Sequence, residues 1–168
     1  MGSFFFFLHD WRNVWFNFIR KKQEDFLCCF LFYLWDKVVE MKETVKYWIE
    51  LSDYDLETAD AMLRSKRYLY VGFMCHQTIE KIFKAWFTSL KSDVAPFSHS
   101  LSYLAKKGDF YELFSDEQKD FIDQIEPLNI EARYPSHKER LLKSLTEEKC
   151  SEILSKTRDL QLWIKEKL

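Results

Sequence analysis

The sequence predicts an all-α fold, an antiparallel up-and-down bundle of four long helices and one short helix. Gly and Pro are scarce, with three of each in 168 residues, which favours long helices joined by short connections. After residue 41, apolar residues recur every three or four positions, as in amphipathic helices. No segment alternates polar and apolar residues with the period of two that is typical of a strand.

Residues 1–40 differ in composition from the rest of the chain. They hold nine of the 16 Phe and no Ala, Thr or Pro, and their longest apolar run, Phe26–Trp35, is too short to cross a bilayer, which needs about 20 residues. We interpret this segment as in-frame translation of upstream DNA, with Met41 as the true start and 41–168 as the domain. The alternative is an interaction segment, either a membrane-surface helix or a partner-binding helix.

Two long helices open the domain. An apolar stripe interrupted by Asp55 predicts a first helix over about 42–65, and basic residues follow at its carboxyl end. A second helix is predicted over about 68–91. Its apolar arc is broad, so we expect it to lie centrally and contact several neighbours.

Three further helices are predicted from local start and stop signals. Ser98 or Ser100 can cap a short helix that Gly108 stops. Ser115, followed by acidic residues and a Gln, begins a fourth helix, and Pro127 ends it. The last helix starts at Thr146 with two Glu in its first turn and runs to the end of the chain.

Net charge and cysteine usage limit the function classes. The formal net charge of −2 gives no global attraction to nucleic acid, so any such contact needs a local basic patch. The four Cys form no C-x-x-C pair and no disulfide framework, which favours a reducing cytoplasm. The histidines and cysteines show no spacing typical of metal ligands, and no Gly-rich phosphate loop is present. The sequence therefore predicts no metal and no cofactor.

Four segments in order resemble a HEPN domain: "YWIELSDYDLETADAML", "RYLYVGFMCHQTIEKIFKAWF", "FSHSLSYLAKKG" and "EARYP". The resemblance covers about residues 45–168 and is nearest to the small prokaryotic branch that stands alone or accompanies a nucleotidyltransferase. It implies a helical bundle that forms a homodimer and binds nucleotide or RNA. In many branches it also implies RNA cleavage without a metal ion.

The catalytic branches of that family place four to six residues between an Arg and a His. Here Arg133 and His137 are separated by three residues, and Pro135 between them breaks the helix that would place them on one face. We therefore favour a structural or binding role over catalysis. Arg133 either pairs with an acid such as Glu131 or binds an anion together with Tyr134.

A polar set interrupts the apolar second helix, and it comprises His76, Gln77, Glu80, Lys81 and Lys84. One interpretation is a solvated stripe with Gln77–Lys81 and Glu80–Lys84 as i, i+4 neighbours. Another places this face in a dimer cleft, with Lys81 or Lys84 near a bound phosphate, and a third pairs Glu80 with Arg133 so that it holds the loop. For His99 we expect a role in capping or packing a corner, because no acid is patterned around it.

The leading functional interpretation is a cytoplasmic, homodimeric HEPN protein that binds a nucleotide, RNA, a nucleotidyltransferase, or more than one of these. One alternative is an endoribonuclease of the toxin–antitoxin type that uses Arg133 and His137. Another is a structural oligomerisation module whose Phe-rich amino-terminal segment binds a helix or a membrane surface.

Overall fold

The computed structural model describes the backbone of residues 7–131 and 144–168, and the side chains of residues 33–129 and 144–168. The chain divides into two compact units, Met1–Glu40 and Met41–Leu168. The described part of the first unit is helical from Phe7 onward. That residues 1–40 lie upstream of the true start stays a prediction.

Helix α1 spans Phe7–Arg64. It ends within one residue of the predicted position, but it begins at Phe7 rather than near residue 42. The physical reason is that no Gly or Pro occurs between Phe7 and Arg64, so neither of the two strong helix breakers interrupts the helix near residue 42.

The second unit contains the rest of the all-α fold, and no strand occurs in the described ranges. Its further helices are α2 (Tyr68–Lys91), α3 (Leu101–Lys107), a 3-10 turn (Tyr111–Leu113), α4 (Asp116–Ile125), α5 (Leu128–Glu131) and α6 (Glu147–Lys165). Helix α2 packs against α3, α4, α5 and α6, which confirms its predicted central position. None of the described helices has an apolar stretch long enough to cross a bilayer.

Local capping explains where three helices begin. Ser100, Ser115 and Thr146 each accept a hydrogen bond from the backbone N–H three residues later, and Ser115 forms a full capping box with Gln118. Gly108 follows α3 at its carboxyl end, as predicted. Helix α5, which the sequence did not predict, begins directly after Pro127.

A buried hydrogen-bond chain links three helices of the bundle. The Ser52 hydroxyl of α1 donates to the Thr78 carbonyl of α2 at 2.8 Å. The Gln161 amide of α6 donates in turn to the Ser52 hydroxyl at 2.8 Å. Because each of these polar groups is buried and paired, the chain fixes the register of α1, α2 and α6.

The two described free cysteines, Cys75 and Cys150, lie buried in the core. Burial raises the pKa of the Cys75 thiol to about 12 and that of Cys150 to about 11. Both therefore stay protonated and unreactive at neutral pH, so they act as small core residues.

Replacing Gly108 with Ala should destabilise the fold, because the added Cβ would overlap the ring of Phe110. That ring is fully buried and stacks on Trp86 with 4.4 Å between centroids, so it has little room to move. We expect the free energy of unfolding in urea to fall by about 1–3 kcal/mol. The exposed neighbour Lys107→Ala should change it by less than about 0.5 kcal/mol, and equal stability of the two variants would contradict the overlap.

Candidate functional site

The candidate site is centred on Glu80, a carboxylate in α2 that is only 1% exposed. Lys84, one turn further along α2, donates from Nζ to Oε1 of Glu80 at 2.8 Å. His99, in the connection between α2 and α3, lies with Nδ1 3.0 Å from Oε2. Each carboxylate oxygen therefore has a partner, as a buried charge requires.

The residues around this carboxylate form what we call the Glu80 cluster, which comprises His76, Glu80, Lys81, Lys84 and His99. Lys81 places Nζ 3.8 Å from Glu80 and donates to the Gln77 amide oxygen at 2.8 Å. Lys84 is largely buried and holds its Nζ 5.2 Å from the centroid of the Trp48 ring, a cation–π contact.

The protonation of Glu80 decides which nitrogen of His99 carries a proton. Burial acts to raise the pKa of the Glu80 carboxyl, but the hydrogen bonds from Lys84 and His99 and the charge of Lys81 outweigh it and lower the pKa. Glu80 is therefore ionised at neutral pH and can only accept, so Nδ1 of His99 donates. Nε2 lies on the opposite side of the ring, and the side chain is 53% exposed.

His76 contributes no charge to the cluster at neutral pH. It is fully buried, and neither ring nitrogen has a hydrogen-bond partner among the described residues. Its Nδ1 lies 4.0 Å from Oε2 of Glu80. Burial lowers the pKa of His76 to about 4, against a smaller opposing effect of the Glu80 carboxylate.

Two further acids lie near the cluster. Burial raises the pKa of Asp55 in α1, against a smaller lowering by Lys81. Glu126, at the carboxyl end of α4, accepts hydrogen bonds from the backbone N–H groups of Leu101 and Ser102 at 3.0–3.2 Å. The positive end of α3 is thus already occupied by a carboxylate, so an external anion has no place there.

A cavity of about 340 Å³ adjoins His99. The residues that line it are His99, Ser100, Asp123, Glu126, Pro127 and Asn129. The Asn129 amide oxygen also accepts from Gln77 at 3.4 Å, which connects the cavity wall to α2. No group of three or more His, Cys, Asp or Glu side chains in the described ranges is arranged to hold a metal ion.

A comparison with protein-family models shows which family this chain belongs to. A model of the HEPN domain matches residues 45–167, most of the chain and nearly all of its second unit. The chain belongs to the HEPN family. The resemblance seen in the four sequence segments is therefore confirmed.

Two solved structures share this HEPN fold. TT1696 from Thermus thermophilus is 19% identical with a TM-score of 0.64, and the match covers 74% of this chain and 98% of that chain. ST0689, an archaeal HEPN homologue, is 20% identical with a TM-score of 0.52, and the match covers 73% of this chain and 96% of that chain. No curated protein matches this HEPN sequence significantly.

The predicted i, i+4 neighbours of α2 are in contact, since Lys84 bonds to Glu80 and Lys81 bonds to Gln77. The interpretation of this face as a solvated stripe is wrong for Glu80 and Lys84, because both side chains are buried. The physical reason is that His99 and Trp48 cover them from other segments. Phosphate binding by Lys81 or Lys84 stays a prediction.

Arg133, Tyr134, Pro135 and His137 lie outside the residues that the structure of this HEPN protein describes. The catalytic role predicted for Arg133 and His137 therefore stays a prediction. The same holds for anion binding by Arg133 with Tyr134, for the corner at Pro135 and for a pairing of Glu80 with Arg133.

The pairing of Glu80 with His99 is the feature that sequence reasoning missed. The two residues are 19 positions apart, so no helical spacing connects them. One signal could have indicated it: Glu80 interrupts a helix whose apolar arc is nearly continuous, and a buried acid requires a partner from another segment.

Replacing Glu80 with Leu should leave Lys84 buried without a counter-charge. We expect the free energy of unfolding in urea to fall by about 3–5 kcal/mol. The double variant Glu80→Leu/Lys84→Met should recover most of this loss, because it removes both charges. Glu112→Ala breaks the more exposed pair with Lys119 and should cost less than about 1 kcal/mol. A double variant as unstable as the single one would contradict this account.

His76 should make stability depend on pH. The unfolded chain binds a proton at His76 near the ordinary pKa of 6.5, whereas the folded chain binds it only near 4. The contribution of His76 to the free energy of unfolding is fully present above pH 6.5. It falls by about 3 kcal/mol as the pH decreases towards 4. Urea denaturation across this range should show a flatter pH dependence for His76→Phe; identical slopes would contradict the expected effect.

Proposed function

We propose that this HEPN protein is a homodimer that binds the phosphate of a nucleotide or of RNA where Lys81 and His99 surround the buried Glu80. The observation that carries the proposal is the orientation of His99. With Nδ1 donating to Glu80, the ring is fixed and Nε2 faces away from the carboxylate, where it can contact a bound nucleotide. Lys81 adds an ammonium group beside the same carboxylate.

Lys81 is the group that supports an anion as the ligand. Lys84 already neutralises Glu80, to which it is hydrogen-bonded at 2.8 Å. The Lys81 ammonium group is hydrogen-bonded to the uncharged Gln77 amide, and Asp55 limits the local positive charge. One such cation suits a single phosphate better than a long stretch of nucleic-acid backbone, in keeping with the net charge of −2.

Family membership supports the remaining parts of the proposal. These are self-association, a nucleotidyltransferase as a partner and a cytoplasmic location. Arg133 and Tyr134 are proposed to contribute to the same phosphate site. A dimer would bring a second set of these residues to one surface, which would increase the number of phosphate contacts.

Replacing Lys81 with Ala should weaken binding of fluorescein-labelled single-stranded RNA of any sequence, measured by fluorescence anisotropy. The slope of log K against log salt should become shallower by about 0.7, the effect of one lost phosphate contact. Lys46→Ala removes an exposed lysine of α1 and should change neither quantity. Equal RNA affinities of wild type and Lys81→Ala would contradict the proposed phosphate site.

The same protein samples test self-association and RNA cleavage. Sedimentation equilibrium should show a dimer of the full chain. Shorter RNA products in metal-free buffer, lost in Arg133→Ala and in His137→Ala, would instead favour a ribonuclease.

A further inference from the structure

An aromatic ring stands exposed beside the Glu80 cluster. Phe97, in the connection between α2 and α3, is fully exposed to solvent. Its ring centroid lies 6.3 Å from that of His99, with 58° between the ring planes. A fully exposed Phe gains nothing from burial within this chain, so its ring is available to a ligand.

The backbone around this ring is held in place on its carboxyl side. His99 is bonded to the buried Glu80, and the Ser98 hydroxyl accepts from the Ser100 N–H at 3.1 Å. Glu126 fixes the next two backbone N–H groups. Phe97 therefore lies two residues from an anchored imidazole, which limits the ordering that a ligand would have to impose.

We propose that Phe97 and His99 form a base-binding subsite, in which the Phe97 ring stacks on a purine base and Nε2 of His99 hydrogen-bonds to the same nucleotide. This subsite deepens the proposed phosphate-binding function and rests on it. A purine is the favoured base because its two fused rings offer more stacking area than a pyrimidine. Stacking on an aromatic side chain is a common way in which proteins hold unpaired bases.

The cavity beside His99 fits the uncharged part of such a ligand. Its volume of about 340 Å³ lies within the usual range for small-molecule sites, at the lower end. Asp123 offers oxygen acceptors for ribose hydroxyl or base amino groups, whereas the carboxylates of Asp123 and Glu126 repel a phosphate. The acidic residues of the cavity therefore favour the sugar or the base of the ligand there, and the positive charge of Lys81 favours its phosphate.

The test uses the full chain, short fluorescein-labelled oligoadenylate and oligouridylate, and anisotropy. Phe97→Ala should weaken oligoadenylate binding by about tenfold, the effect of one lost stacking contact. The salt slope should stay unchanged, because no charge is removed. Phe97→Tyr should retain binding, and Val94→Ala, an exposed apolar residue of the same connection, should have no effect.

His99 is tested by comparing its effects on binding and on stability. His99→Gln should weaken oligoadenylate binding, whereas a purely structural role of His99 would lower only the free energy of unfolding in urea. Unchanged oligoadenylate affinity in His99→Gln would remove His99 from the subsite.

The outcomes separate this subsite from the phosphate site. If Lys81→Ala weakens binding and Phe97→Ala does not, the phosphate site stands and the base subsite is overturned. If wild type binds neither oligonucleotide, both are overturned. If Phe97→Ala converts a dimer to a monomer in sedimentation, Phe97 is a contact between copies of the chain, and the base subsite is again overturned.

Discussion

The buried carboxylate of Glu80 is the constraint on which the site depends. A charge in the core has to be matched by partners, and here one partner comes from the same helix and the other from the α2–α3 connection. Because α2 also contacts α3, α4, α5 and α6, the position of the connection is tied to the core of the second unit. The orientation of His99 is thus a consequence of how the bundle packs.

A second acid completes this arrangement from the other side. Glu126 binds the first two N–H groups of α3, so the carboxyl end of α4 holds the start of α3. Glu80 and Glu126 together hold the segment 99–102, through the His99 side chain at one end and the backbone at the other. Both acids serve as hydrogen-bond acceptors within the fold, so neither carboxylate is left without a partner.

The sequence predicted what depends on neighbours in the chain and missed what depends on distant ones. The caps at Ser100, Ser115 and Thr146 are local, and the helices they begin were predicted correctly. The predicted start of α1 near residue 42 was wrong, because the composition changes there but no helix breaker lies there. The burial of Glu80 and its bond to His99 need the three-dimensional packing, which no spacing rule supplies.

Stability alone does not account for a charged cluster inside this bundle. Apolar residues at positions 80 and 84 would continue the apolar arc of α2, and such replacements of buried ion pairs are often neutral or stabilising. Other polar side chains lie beside the carboxylate. His76 is buried without a described hydrogen-bond partner, and Lys81 is hydrogen-bonded to Gln77. The Glu80 carboxylate fixes the orientation of the partly exposed His99 imidazole by a hydrogen bond, which an apolar residue at position 80 could not do. The cluster therefore differs from an apolar pair chiefly in how it orients His99 on the α2–α3 connection.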